Sequence, residues 1–112
     1  MMCVTGFYPK TAGATFDYDY YRDVHMPLVQ EKLKPFGLIR MEAIRGIAGM
    51  TGAPAQFFLM LNVYFETADQ FFEGLAAAGR LIMEDIPQYT TIEPTIQIGS
   101  VLEPEPEPEP TT

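Results

Sequence analysis

Residues 56 to 66, QFFLMLNVYFE, limit the choice of fold more than any other stretch of the chain. Strict alternation puts Phe57, Leu59, Leu61, Val63 and Phe65 on one side, and Phe58, Met60, Asn62 and Tyr64 on the other. Aromatic and β-branched residues at period two specify a strand, and apolar residues on both sides specify one covered on both faces. Such a strand cannot stand alone. It needs hydrogen-bonded neighbours along both edges, so the rest of the chain must supply a sheet around it.

The neighbours can be read off. Residues 2 to 8, MCVTGFY, form a β-rich run closed by Pro9. LIRMEAIRG, from Leu38, alternates with Ile39, Met41 and Ala43 on one face and is a half-exposed strand. TIEPTIQIGSV, from Thr91, predicts a fourth strand with Ile92, Ile96 and Ile98 on one face. Pro94 within it lacks an N–H, which favours an edge position or a bulge. Two helices separate these strands. The first begins near Asp17, a good N-cap, and runs to about Lys34 before Pro35 and Gly37 stop it. The second opens on Thr67 and Gln70, a capping-box pair, carries Phe71, Leu75, Gly79, Ile82 and Ile86 at helical spacing, and ends before Pro87. The glycine-rich stretch 46 to 55 is a loop.

The order βαββαβ predicts a ferredoxin-like α+β domain over residues 1–101: a four-stranded antiparallel sheet with both helices on one face. The helices can cover only one side. Phe58, Met60 and Tyr64 would face solvent on the other unless a second copy covered them, so a homodimer joined through its sheets is expected. The last stretch, residues 102–112, alternates Glu with Pro and predicts an extended, solvated acidic tail.

Composition excludes several functions. Of fifteen acidic residues four lie in that tail, leaving eleven against seven Lys and Arg, and those bases are dispersed, so a nucleic-acid partner is not expected. The single cysteine, Cys3, forbids an intrachain disulfide and the cytoplasm is the expected compartment. No apolar stretch approaches ~18 residues and no basic leader precedes the first strand, so neither a membrane span nor a secretory signal is expected. One His and one Cys cannot build a His/Cys metal cage, and the GxSxG, GxGxxG and P-loop patterns are absent. No metal or cofactor is expected; axial haem ligation is the exception that a lone histidine permits.

That histidine lies in FDYDYYRDVHMPLV, residues 16 to 29. At about 100° per residue, Tyr18, Tyr21, Val24, His25, Leu28 and Val29 share one arc of the first helix, while Asp19 and Asp23 fall outside it. Pro27 removes an N–H and crowds the carbonyl of Asp23, so the helix should loosen at this turn and open space beside the imidazole. Histidine works as a general acid or base near neutrality, because its reference pKa of ~6.5 lies close to working pH. Two readings stand. His25 is either a catalyst beside a small-molecule pocket, with Tyr18 and Tyr21 as binding groups, or a structural histidine among core aromatics.

Phe16, Asp17, Tyr20, Tyr21, His25, Pro27, Leu28 and Val29 match an FDxxYYxxxHxPLV pattern, and a second signature is DIPQYT, Asp85 to Thr90. In both, the chain resembles the EthD family, named for ethyl tert-butyl ether degradation clusters, over roughly residues 2 to 101. The resemblance implies a dimeric α+β barrel and adds His25 as the candidate catalytic group, Tyr89 as a second positioner closing the same pocket, and Asp85 as the group orienting the imidazole or capping a turn. Members are often labelled reductases, yet no nicotinamide or flavin motif is visible. The implied function is cofactor-free acid/base chemistry on a small hydrophobic compound, of lyase, isomerase, cyclase or oxygenase type. The alternative is a non-catalytic accessory protein supporting an oxygenase. A cavity beside His25 would favour the first; an imidazole bonded through both nitrogens would favour the second.

Overall fold

The structure, a computed structural model, describes residues 1–103; the predicted tail beyond Glu103 lies outside the described residues. Four antiparallel strands, β1 (Met2–Pro9), β2 (Arg40–Arg45), β3 (Phe57–Phe65) and β4 (Thr95–Ser100), form one sheet in the order β2-β3-β1-β4. The doubly apolar β3 is central, as its alternation requires, and the ferredoxin-like α+β topology is the one the element order specifies.

The first helical region is not one regular helix. It divides into α1 (Tyr18–Tyr20), a π-helical turn at Tyr21–His25, α2 (Met26–Leu33) and a 3₁₀ turn at Lys34–Phe36. Asp17 caps it by accepting from the Tyr20 amide at 3.1 Å. Gly37, at φ 99°, stops it in the left-handed conformation that favours glycine. The wide turn is marked by the Met26 amide donating to the Tyr21 carbonyl, five residues back. Pro27, with no amide of its own, stands next in the chain. The regular wheel therefore fails at one place: Val24, expected inward, is 44% exposed, while Tyr21 and His25 are fully buried.

The second helix, α3 (Ala68–Asp85), carries the predicted capping box, with Thr67 Oγ1 accepting from the Gln70 amide and Gln70 Oε1 accepting from the Thr67 amide. Phe71 enters the core, together with Val4, Val29, Leu33, Val63 and Phe65. A second cluster gathers the aromatics Tyr8, Tyr21 and Tyr89 with Leu59 and Ile86.

Two expectations for the sheet are corrected. β4 begins at Thr95, so Pro94 and Ile92 precede it: Pro94 has no N–H to give a ladder against β1, and buried Ile92 packs under the turn after α3 instead. Phe58 does not share the outer face with Met60 and Tyr64. The β1–β3 register shifts between Tyr8 and Pro9, turning Phe58 inward to stack on Phe16 (centroids 5.8 Å apart, planes at 26°) and sending Phe57 outward against Phe7. The outer face is accordingly mixed. Phe7, Phe57, Met60 and Ile44 make an apolar end. Beside it Glu42 accepts hydrogen bonds from Asn62, Tyr64 and Arg40, and these hold its carboxyl below the usual carboxylate range, Asn62 contributing most.

Candidate active site

His25 closes the π turn and is 2% exposed. The wide turn and the sheet direct it toward the end of α3, whose final residue is Asp85. Two tertiary links fix the approach: the Asp17 amide donates to the Tyr89 carbonyl at 2.8 Å, and Phe16 pairs with Thr90 in an isolated antiparallel bridge. The segment before the first helix is thus tied to the segment after the second, which brings FDYDYYRDVH and DIPQYT into one place.

A continuous chain of hydrogen bonds results. Tyr20 donates to Asp85 Oδ1 at 2.6 Å, Asp85 Oδ2 faces His25 Nδ1 at 2.9 Å, His25 Nε2 meets the Tyr89 hydroxyl at 3.3 Å, and that hydroxyl meets the Tyr8 hydroxyl at 2.6 Å. Burial lowers the pKa of His25, with the Asp85 carboxyl opposing the shift, so the imidazole is held neutral. Burial likewise raises the pKa values of Tyr8, Tyr21 and Tyr89, keeping all three hydroxyls protonated. The Tyr21 hydroxyl is buried without a hydrogen-bond partner, close enough to Tyr8 for the two to interact electrostatically but outside bonding geometry.

A cavity of about 90 Å³ lies between the inner sheet face and the two helices, and among the described residues His25 and Tyr8 supply the only polar side chains in its wall. The rest of the wall is apolar, from Val4, Leu61, Val63, Val29, Phe71 and Ile82 among others. Gly6, between Val4 and Tyr8 on β1, leaves the floor low: a methyl group there would touch nothing nearer than the Leu61 Cβ, at 4.0 Å. The mouth opens where α3 fails to cover β4, at Leu75, Met83 and Ile96, each between two-fifths and half exposed. A second, outer hollow of about 450 Å³ shares Met83, Ile86 and Pro94 with the first and is bounded by Thr90, Thr91 and Glu93.

The structure assembles four of the five site residues predicted from sequence. His25, Asp85 and Tyr89 are in direct contact, and Tyr21 packs against His25 with ring centroids 5.2 Å apart. Tyr18 stands apart, donating to the Phe58 carbonyl at 3.1 Å beneath the Arg45 guanidinium and away from the cavity wall. Tyr8 and Tyr20 were not foreseen. Tyr20 falls off the apolar arc of a regular wheel, and only sheet register reveals Tyr8. The Nε2 atom that an axial haem ligand would offer is engaged by the Tyr89 hydroxyl at 3.3 Å. Among the described residues no group of three potential ligands could hold a metal ion, and no helix is long and apolar enough to cross a membrane.

This fold and site define a ferredoxin-like α+β domain built around a buried histidine. A crystal structure of an EthD-like protein from Ralstonia eutropha JMP134 superposes with a TM-score of 0.83 at 36% identity, covering 93% of this chain and 95% of that one. The chain belongs to the EthD-like family. A dimeric ferredoxin-like protein from an uncultured marine organism shares the fold at 9% identity and a TM-score of 0.61, over 93% of this chain and 97% of that one. A variant of SnoaB, a cofactor-independent oxygenase from Streptomyces nogalater, shares it at 15% identity and a TM-score of 0.52, over 95% and 96%. No protein-family model and no curated protein sequence matches the chain.

Proposed function

We propose that this protein is a cytoplasmic homodimeric enzyme that carries out general acid/base chemistry, without a cofactor, on a small, largely apolar organic molecule. The carrying observation is the placement of His25: buried, oriented by Asp85 at 2.9 Å, and exposed on one side to an apolar cavity. A carboxylate that fixes the tautomer and steadies the imidazolium is the standard partner of a catalytic histidine. Proton transfer by such a group is worth ~10²–10⁴-fold. That suffices for enolisation, dehydration or cyclisation of an activated compound, and the cofactor-independent oxygenase among the fold relatives supports chemistry of this kind without a bound group. It does not suffice for cleaving an unactivated ether. The dimeric relative and the apolar end of the outer sheet face support the homodimer.

A second reading has one observation in its favour: His25 is bonded through both ring nitrogens. An accessory protein that holds a hydrophobic metabolite for a neighbouring oxygenase would need no free nitrogen. Mass spectrometry of the ligand that co-purifies with the protein supplies a substrate for the decisive comparison. His25→Ala should lower turnover of that compound by ~10²-fold or more; a folded variant with full turnover leaves the accessory reading in place.

A further inference from the structure

The hydrogen-bonded chain has a direction. A carboxylate only accepts, so the His25–Asp85 bond places the proton on Nδ1, and a neutral imidazole then has only a lone pair at Nε2. The Tyr89 hydroxyl must donate to it. Its oxygen is then free to accept, and the 2.6 Å bond to Tyr8 is donated by Tyr8. Every proton from Tyr8 inward is committed toward His25. What Tyr8 has left is acceptor capacity: one lone pair lies toward the buried, otherwise unpartnered Tyr21 hydroxyl, and a second remains for a ligand. Among the described residues Tyr8 is, with His25, one of the two polar side chains in the cavity wall.

We propose that Tyr8 is the residue that meets the polar end of the ligand, and that the ligand class is an apolar body bearing a hydroxyl (an enol, a phenol or an alcohol) which donates to the Tyr8 oxygen. This rests on the acid/base reading above and specifies its substrate. For an enol or a phenol, the acidic members of that class, the proton inventory also gives the step; an alcohol is bound without it. The ligand O–H bond breaks as a Tyr8 O–H bond forms; the former Tyr8 proton passes to the Tyr89 oxygen, and the former Tyr89 proton to His25 Nε2. The products are a ligand oxyanion and an imidazolium facing Asp85. No electrons leave the system. The chain now points the other way, so the Tyr8 hydroxyl donates to the oxyanion it has just created, which is stabilisation at the atom where charge develops. Gly6 beside Tyr8 supplies the floor space for the ligand body.

The test uses two probes of the same ring, cyclopentanol and cyclopentanone, titrated into the intact protein by ligand-observed NMR. The wild type should bind the alcohol about tenfold more tightly, because the ketone sets a lone pair against a lone pair. Tyr8→Phe should bring the two within about twofold of each other. Tyr89→Phe releases the Tyr8 proton to point outward, and the preference should then invert toward the ketone, a change that loss of packing would not produce. Equal binding, or no binding, of both probes to the wild type overturns the proposal, as does an alcohol preference that survives in Tyr8→Phe. If that preference behaves as expected while His25→Ala keeps full turnover of the natural compound, the catalytic reading fails and the recognition role of Tyr8 stands. If His25→Ala is inactive and Tyr8→Phe changes neither turnover nor the alcohol preference, the Tyr8 proposal falls, recognition and relay alike, and the acid/base reading stands.

Discussion

His25 and Asp85 face each other at 2.9 Å across sixty residues of sequence, and the imidazole is neutral because taking it from water disfavours its charged form more than Asp85 restores it. This has a measurable consequence for stability. In the unfolded chain the imidazole titrates near its ordinary 6.5; in the folded protein its pKa lies lower. Between the two values the unfolded state binds the extra proton, so folding stability from this group is intact above pH 6.5 and falls as pH drops below it. Urea midpoints measured from pH 7.5 down to pH 5 should decline for the wild type and more shallowly for His25→Gln; parallel declines would contradict the assignment. Much of this site was legible in the sequence. His25, Tyr21, Asp85 and Tyr89 lie in two short signatures, because local spacing places residues on one turn. Tyr8 was not legible, since only the pairing of β1 with its neighbours puts its hydroxyl 2.6 Å from that of Tyr89, eighty-one residues away. Nothing in a regular wheel brings Tyr20 to Asp85 either; the interrupted helix and the reach of a phenol do.

The elements that shape the site are those that depart from regularity. A proline at position 27 predicts a loosened helix, and the loosening takes the form of a π turn that buries Tyr21 and His25 together and turns Val24 out to solvent. The register shift beyond Tyr8 moves Phe58 onto Phe16, packing the aromatics behind the polar chain. Shifts of this kind depend on how two strands meet, which the alternation within either one does not encode. Gly6 is the third irregularity: a glycine in the middle of β1, where a side chain would have room. Gly6→Ala should stabilise the protein by ~0.5–1 kcal/mol, because glycine inside a strand is entropically costly, and should weaken ligand binding by shallowing the cavity. Thermal denaturation and probe titration read the two effects. A variant that is less stable, or that binds as well as the wild type, would mean that Gly6 serves another purpose.

At the scale of the whole molecule, the ferredoxin-like fold covers one sheet face with helices and leaves the other open. The apolar end of that open face, at Phe7, Ile44, Phe57 and Met60, is the surface on which the proposed pairing of two copies depends. The hydrogen-bonded group around Glu42 tempers this surface, which is less apolar than the strand pattern alone implies, because Phe58 leaves it and Asn62 and Tyr64 spend their polar atoms on Glu42. Sedimentation velocity at micromolar concentration should show a dimer for the wild type and a monomer for Met60→Glu, with circular dichroism unchanged. A monomeric wild type would contradict the pairing while leaving the site within each subunit untouched.

The account turns on a neutral imidazole with its proton on Nδ1, and a chain with one histidine permits a direct reading. Two-bond ¹H–¹⁵N correlation spectra of the labelled protein should give the Nδ1–H tautomer at neutral pH, persisting to a pH below the ordinary histidine midpoint of 6.5. A histidine protonated on Nε2 when neutral, or one titrating at or above that midpoint, would contradict both the orientation by Asp85 and the direction of the proton chain.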